Sequence, residues 1–319
     1  MNIETPGHYG QNKLLKLYLN IKSLPEGVII QHGWAAMDGV CNTDLNKCKH
    51  LMLAWNGRYK KEWDLKSNLP CQIIGSPYVH YRRLAKIEQS EKAKGTLAFP
   101  AHSIKQIEAN YDLDKYCEKL NNLPEEFQPV TICLHHLDIK HYQLEAKFKE
   151  RGFDVVCTTH KKKGPPAELF YTLIKNFKYT TSNEPGSYTF YSVEMNIPFF
   201  ILGELAIRHN FTGTIIDIQE KIYSITDYKY GKIAYDLFSN QPKDRITEEQ
   251  RAFVLSELGM LDCAPRSVLV DILNEIALKQ KNTKDGYKIL AKQIWRLIKH
   301  PRLFTEALKD SYLYNKHNS

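Results

Sequence analysis

The chain has 319 residues, 43% of them hydrophobic and 25% charged, with a formal net charge of +8. This is globular composition, long enough for two domains of ~100–200 residues, and it excludes general disorder. No apolar run approaches the ~20 residues that span a bilayer, and Met1-Asn2-Ile3-Glu4 opens no secretory leader, so a cytoplasmic protein is expected.

In chain order, the first strand candidates are 27–31, 51–54 and 71–75. They predict a small α/β domain over 1–92, with charge-rich 81–94 as a helix or linker. A stronger alternation follows over 93–240. Strands are expected at 96–99, 130–134, 154–157, 179–181 and 198–202, and helices at 105–120, 139–151, 167–176 and 187–195. Gly152 suits the residue just past a helix end. Such alternation implies right-handed βαβ crossovers and a parallel sheet buried on both faces, hence near-continuous apolar strands. The fold class predicted is α/β with two Rossmann-like domains, the first small. No GxGxxG follows a strand, which removes the dinucleotide-dependent dehydrogenases. Beyond Gly213 the pattern turns helical, with a start at Thr247-Glu248-Glu249, segments 266–280 and 286–299, and a last helix from Pro301 toward Tyr314. Residues 241–319 are read as a helical C-terminal segment, able to pack back across the domain boundary or to serve as a structural cap.

The seven cysteines form no CxxC pair, and Cys133 and Cys157 fall in apolar strands, so reduced core residues are expected rather than zinc ligands. The positive charge suits phosphates or anionic lipid, but arginine clusters and stacked-aromatic motifs are absent, so nucleic acid is not an expected partner. Asp112-Leu113-Asp114 has the letters of a metal-binding DxD but sits in a helical segment, and no metal is expected.

Three turns carry the candidate chemistry. In Ser182-Asn183-Glu184-Pro185-Gly186-Ser187 a strand gives way to a helix. Helix N-terminal amides favour an anion, Gly186 allows close approach, and the Ser182 and Ser187 hydroxyls can donate to phosphate. The same turn reads equally well as a capped helix start, with Asn183 or Ser187 as the cap. Glu184 suits a ribose or sugar hydroxyl better than a phosphate. Phe99-Pro100-Ala101-His102-Ser103 ends the first strand of the same sheet, on the edge where open α/β sheets bind ligands. A protonated His102 would neutralise a leaving phosphate, and Ser103 would hydrogen-bond it. In the first domain, His32 of Gln31-His32-Gly33-Trp34 has the near-neutral reference pKa of a general base, or is a structural histidine. His135, His136 and His160, the last followed by Lys161-Lys162-Lys163-Gly164, lie on the same predicted edge as His102.

Taken in order, His32-Gly33, Gly75-Ser76-Pro77, His102-Ser103 and Glu184-Pro185-Gly186-Ser187 resemble motifs of the CDP-glycerol glycerophosphotransferases. They are also similar to those of bacterial capsule and O-antigen transferases of GT-B architecture. The resemblance spans about residues 27 to 203. Ser103 stands where the former family has proline, Gly186 where it has serine, and Tyr191 where it has aspartate, and the first domain is short for the architecture. The resemblance implies a metal-independent glycosyltransferase acting between the domains, with a nucleotide-activated sugar as donor and a surface glycan or lipid-linked acceptor. Peripheral contact with the inner face of the membrane is compatible with it. His32 would be the base, and His102, Ser103, His160, Ser182, Asn183, Glu184, Gly186 and Ser187 would form the donor site. The alternatives are a glycerophosphate-type transferase using a CDP-activated donor, and a non-catalytic nucleotide-binding scaffold.

Overall fold

A computed structural model describes residues 10–104, 106–158, 166–211, 221–239 and 243–299. Two compact units divide the chain after Leu269. The first contains every strand described below. Among the described residues, no helix is long and apolar enough to cross a membrane.

The chain begins with α1 (Gln11–Leu19), β1 (Val28–Ile30), α2 (Asn42–Lys47), β2 (Leu51–Ala54), α3 (Gly57–Lys66), β3 (Cys71–Ile73) and α4 (Pro77–Leu84). The three strands form a parallel sheet in the order β1-β2-β3. All four residues of β2 are buried, as expected for a central parallel strand. Asn56 caps α3, its side chain accepting from Tyr59 N–H at 2.9 Å. Gly75, at φ 68°, turns the chain out of β3, and Pro77 takes the first position of α4, where its missing N–H costs nothing.

The chain continues with β4 (Thr96–Ala98), β5 (Ile107–Asn110), α5 (Leu113–Asn121), β6 (Val130–Cys133), α6 (His136–Tyr142), α7 (Leu144–Lys149) and β7 (Asp154–Val156). Then come α8 (Pro166–Ile174), β8 (Tyr179–Ser182), α9 (Ser187–Glu194), β9 (Phe199–Ile201), β10 (Ile207–Asn210), β11 (Ile222–Tyr223), α10 (Lys229–Ser239), α11 (Glu248–Glu257) and α12 (Arg266–Lys299). Five strands pair in parallel in the order β7-β6-β4-β8-β9. Numbered by chain position this is 3-2-1-4-5, a doubly wound order whose direction reverses between β4 and β8. The polar strand β8 is nonetheless fully buried. Thr181 Oγ1 donates to Phe200 O at 2.8 Å and Thr180 Oγ1 to Pro198 O at 3.2 Å, so neighbouring carbonyls satisfy its hydroxyls.

Several expectations are corrected. The predicted helix 105–120 splits into β5 and α5, because Asp112 caps a helix start with its carboxylate on Lys115 N–H at 3.0 Å. The predicted helix 139–151 is two helices broken at Gln143, which adopts φ 54°. The region expected to turn helical contributes β11 to a small antiparallel sheet, β11-β10-β5. Segments 266–280 and 286–299 are one continuous helix. The helix expected beyond Pro301 lies outside the described residues. The first 92 residues hold a three-stranded parallel sheet, its strands within the expected 27–31, 51–54 and 71–75. One aromatic core joins the two parallel sheets, with Trp55, Tyr78 and Val79 packed among Leu97, Phe99, Tyr171, Phe190 and Tyr191. Tyr78 and Tyr191 stack with ring centroids 5.0 Å apart. Arg82 locks the same seam from α4, its Nε and Nη2 donating to the buried Glu194 carboxylate at 2.7 and 2.8 Å.

Candidate functional site

The strand order reverses between β4 and β8, and the carboxyl ends of strands at such a reversal are where doubly wound sheets hold ligands. The 99–103 and 182–187 turns leave the sheet there, on adjacent strands. Asn183, fully buried, ties the turns together: its Oδ1 accepts from Ala101 N–H at 2.8 Å and its Nδ2 donates to Glu204 O at 3.2 Å. Ser182, also fully buried, has its hydroxyl on Tyr188 OH at 3.0 Å and accepts from Glu184 N–H at 3.2 Å. Both side chains are thus engaged inside the turn.

At Gly186 the extended backbone leads into α9, and Thr189 Oγ1 accepts the Gly186 N–H at 3.1 Å. A Cβ at Gly186 would lie 2.8 Å from the Tyr188 ring, so the position needs glycine for lack of space. Ser187 opens the helix, half-exposed, and a Cβ built on Gly33 would sit 3.7 Å from its Oγ. The first-sheet motif therefore reaches the N-terminus of α9. The His32-Gly33 loop is braced from behind. Gln11 Nε2 donates to His32 O at 2.6 Å, Gln31 Nε2 donates to Gly33 O at 2.8 Å, and Gln31 Oε1 accepts from Trp55 N–H at 2.7 Å. The His32 side chain stays exposed.

Beside Ser103 lies a compact set of ionisable groups. The His102 ring is 4.8 Å from that of His135, which is 4.4 Å from that of His136. Burial, reinforced by His135 and Arg208, pushes His102 down to about 3, and burial with His136 pushes His135 down to about 4. Burial thus favours the neutral imidazole at His102, able to donate one N–H, over the cation expected from sequence. Ser103 donates its N–H to Asp138 Oδ1 at 3.0 Å, and its hydroxyl accepts from Ala109 N–H at 3.0 Å. Burial raises Asp138 to about 6 against the pull of that hydrogen bond and of Arg208. Arg208 of β10 pairs with Glu184 Oε1 and reaches His102 O at 3.4 Å. This ion pair cancels the negative charge that made Glu184 awkward beside a phosphate, and leaves Oε2 buried without a hydrogen bond. Arg208 escaped sequence reasoning because its strand is short and polar; its one signal is an arginine beyond the last parallel strand. His160 lies outside the described residues. Among the described residues, no group of three or more His, Cys, Asp or Glu is arranged to hold a metal.

No protein-family model matches the chain, and no curated protein matches it. Among solved structures it is similar to the wall teichoic acid polymerase TagF. One such structure, of a substituted variant soaked with CDPG, is 13% identical with a TM-score of 0.37, over 75% of this chain and 59% of that one. A second structure of TagF is 13% identical with a TM-score of 0.39, over 80% of this chain and 68% of the other. The chain thus spans about 59% of the length of the first of these.

Proposed function

We propose that this chain is a transferase that takes its group from a nucleotide-activated donor, residues 93–240 holding the donor and residues 1–92 the acceptor. The observation that carries the reading is the meeting of Gly33 with Ser187 at the strand-order reversal of the five-stranded sheet. An open helix N-terminus with a serine at its first position is chemically suited to a diphosphate. Opposite it stands a loop bearing an exposed histidine.

In this account the amides at the start of α9, the Ser187 hydroxyl and a neutral His102 N–H hold the donor phosphates. They stabilise the charge that grows on the leaving nucleotide without a metal. His32 accepts the proton of the acceptor hydroxyl, whose oxygen attacks the donor. Attack at an anomeric carbon breaks the bond to the diphosphate and releases a nucleoside diphosphate. Attack at the outer phosphorus of CDP-glycerol breaks the phosphoanhydride and releases CMP. The motif order resembles both classes.

The test is a product assay. The protein is incubated with nucleotide sugars and with CDP-glycerol, with a glycan or lipid-linked acceptor, and the released nucleotide is identified. A nucleoside diphosphate supports the glycosyltransferase, and CMP the glycerophosphate transferase. His32→Ala should keep nucleotide affinity and lose roughly 10²–10⁴-fold in rate, the usual cost of removing a general base. Nucleotide binding with no turnover from any donor leaves the scaffold, and an unaltered His32→Ala enzyme removes the base.

A further inference from the structure

The loop that carries His32 is held by groups far away in the chain. Glu257, the last residue of α11, accepts from Trp34 Nε1 at 2.7 Å, and from Arg58 Nη2 at 2.6 Å and Nε at 3.2 Å. The same guanidinium donates to Ala35 O at 2.8 Å and Met37 O at 3.1 Å, and lies 3.9 Å from the centre of the Tyr230 ring. Arg58 and Glu257 are both largely buried, at 11% and 6% side-chain exposure, so neither is a screened surface charge. The end of α11 is itself fixed to the first sheet. Asn56 Nδ2 donates to Glu257 O at 2.6 Å, and Ser76 N–H to Leu258 O at 2.9 Å. Gly259, at φ 67°, lies against the Trp55 carbonyl where a Cβ would collide. One turn earlier on the same face, Phe253 packs α11 on α9, with Phe253 and Phe190 rings 5.9 Å apart and Trp34 4.6 Å from the same Phe190.

One helix therefore touches both halves of the candidate site. Through Phe253 it bears on α9, whose N-terminus meets Gly33. Through Glu257 it holds Trp34 and Arg58, which fix the backbone from Trp34 to Met37. A core brace would need only the packing. A bidentate buried charge pair whose guanidinium also donates to the loop carbonyls favours one loop conformation, because another would leave the charges or carbonyls unmatched.

We propose that Arg58 and Glu257 are positioning residues that set the His32-Gly33-Trp34 loop against the N-terminus of α9. The proposal rests on the reading of that loop as the acceptor side of a nucleotide-dependent transferase. Gly33 meets Ser187 directly, so a phosphate at Ser187 is felt at the His32 ring as long as Arg58 and Glu257 keep the following residues, and with them the loop, in place.

The test follows the His32 imidazole by NMR in the full chain labelled with ¹³C-histidine, the resonance assigned through His32→Gln, during titration with CDP and with UDP. In the wild type the nucleotide shifts the His32 signal. In Glu257→Gln the nucleotide binds within about two-fold of the wild type, the His32 response disappears, and amide exchange over residues 31–37 speeds up by at least about ten-fold, as for a released local segment. Glu249→Gln, an exposed position on the same helix, keeps the response. Trp34→Phe, which keeps an aromatic ring near Phe190 but removes the indole N–H and part of the ring, gives a weaker version of the same change and serves if Glu257→Gln fails to fold. A His32 response and loop exchange like those of the wild type overturn the proposal. So does a loss of nucleotide affinity that merely tracks a lower melting temperature, the mark of a structural brace. If none of CMP, CDP, UDP and GDP binds the wild type, the transferase reading falls, and exchange alone decides. Acceleration confined to 31–37 in Glu257→Gln then upholds the positioning role, and unchanged exchange refutes it.

Discussion

Gly33 offers a perturbation whose outcome follows from the geometry. Its φ lies outside the left-handed region, so a side chain is not barred by the backbone, and an added Cβ meets Ser187 Oγ at 3.7 Å, an ordinary contact. Gly33→Ala should therefore fold as the wild type does, within the ~0.5 kcal/mol of a neutral substitution. Gly33→Val adds two methyl groups about 1.5 Å beyond that Cβ, bringing carbon toward van der Waals overlap with Ser187 Oγ. The hydroxyl then turns away or is covered, and a phosphate loses one charge-assisted hydrogen bond, about 1.5–3 kcal/mol, or roughly 10- to 150-fold in affinity. Isothermal titration of CDP and UDP into the three proteins, with melting temperatures alongside, reads both effects. Wild-type affinity in Gly33→Val, with the fold intact, would refute the placement of the phosphate at this contact. A large loss of stability in Gly33→Ala would show that the approach of the two loops is tighter than described.

Other outcomes follow from the buried ionisable groups. His102 and His135 are held near 3 and 4, below their usual 6.5. The unfolded chain thus takes up protons the folded one refuses, and the stability present above pH 6.5 is lost as pH falls toward 4. Each histidine accounts for about 2 kcal/mol between pH 7 and 5, so His102→Asn/His135→Asn should flatten the acid limb of urea-melt stability against pH. Asp138 acts in the opposite sense. Its pKa is raised from 3.8 to about 6, so the stability it contributes below pH 3.8 is lost as pH rises through 6. Asp138→Asn, which can still accept the Ser103 N–H, should gain up to about 3 kcal/mol at pH 7 relative to its effect at pH 4; equal effects at both pH values would show that the carboxylate is not penalised by burial. Ser182→Ala should lower the melting temperature, since it removes the hydroxyl that accepts the buried Glu184 N–H, while Tyr188 OH keeps its bond to Glu184 O.

Much of the large sheet was legible in the chain. Its strands are covered on both faces, so 96–99, 130–134, 154–157 and 198–202 stand out as apolar runs between amphipathic ones. Even the polar run 179–181 was found, because its position in the alternation compensated for its threonines. The antiparallel sheet was not legible. β5 and β10 carry Glu108, Arg208 and His209 on short strands, and two to four residues give no measurable period. Residue type singled out two turns that the fold sets on adjacent strands, but not the direction of each side chain. Ser182 and Asn183 look like phosphate ligands in sequence, yet the turn uses both to knit itself together. His102 looks cationic until its surroundings are known, since the pKa of an imidazole is set by burial and by the neighbouring His135. The Arg58–Glu257 pair joins residues 199 apart, and no local pattern announces such a contact.

The central claim is a metal-independent phosphate site at the N-terminus of α9. The direct measurement is calorimetric titration of CMP, CDP, UDP and GDP into the wild type and Ser187→Ala, without Mg²⁺. At least one nucleotide should bind the wild type, and bind Ser187→Ala roughly 10- to 150-fold more weakly, the ~1.5–3 kcal/mol of one hydrogen bond to a charged group. Absence of heat with every nucleotide, or equal affinity in the two proteins, would contradict it.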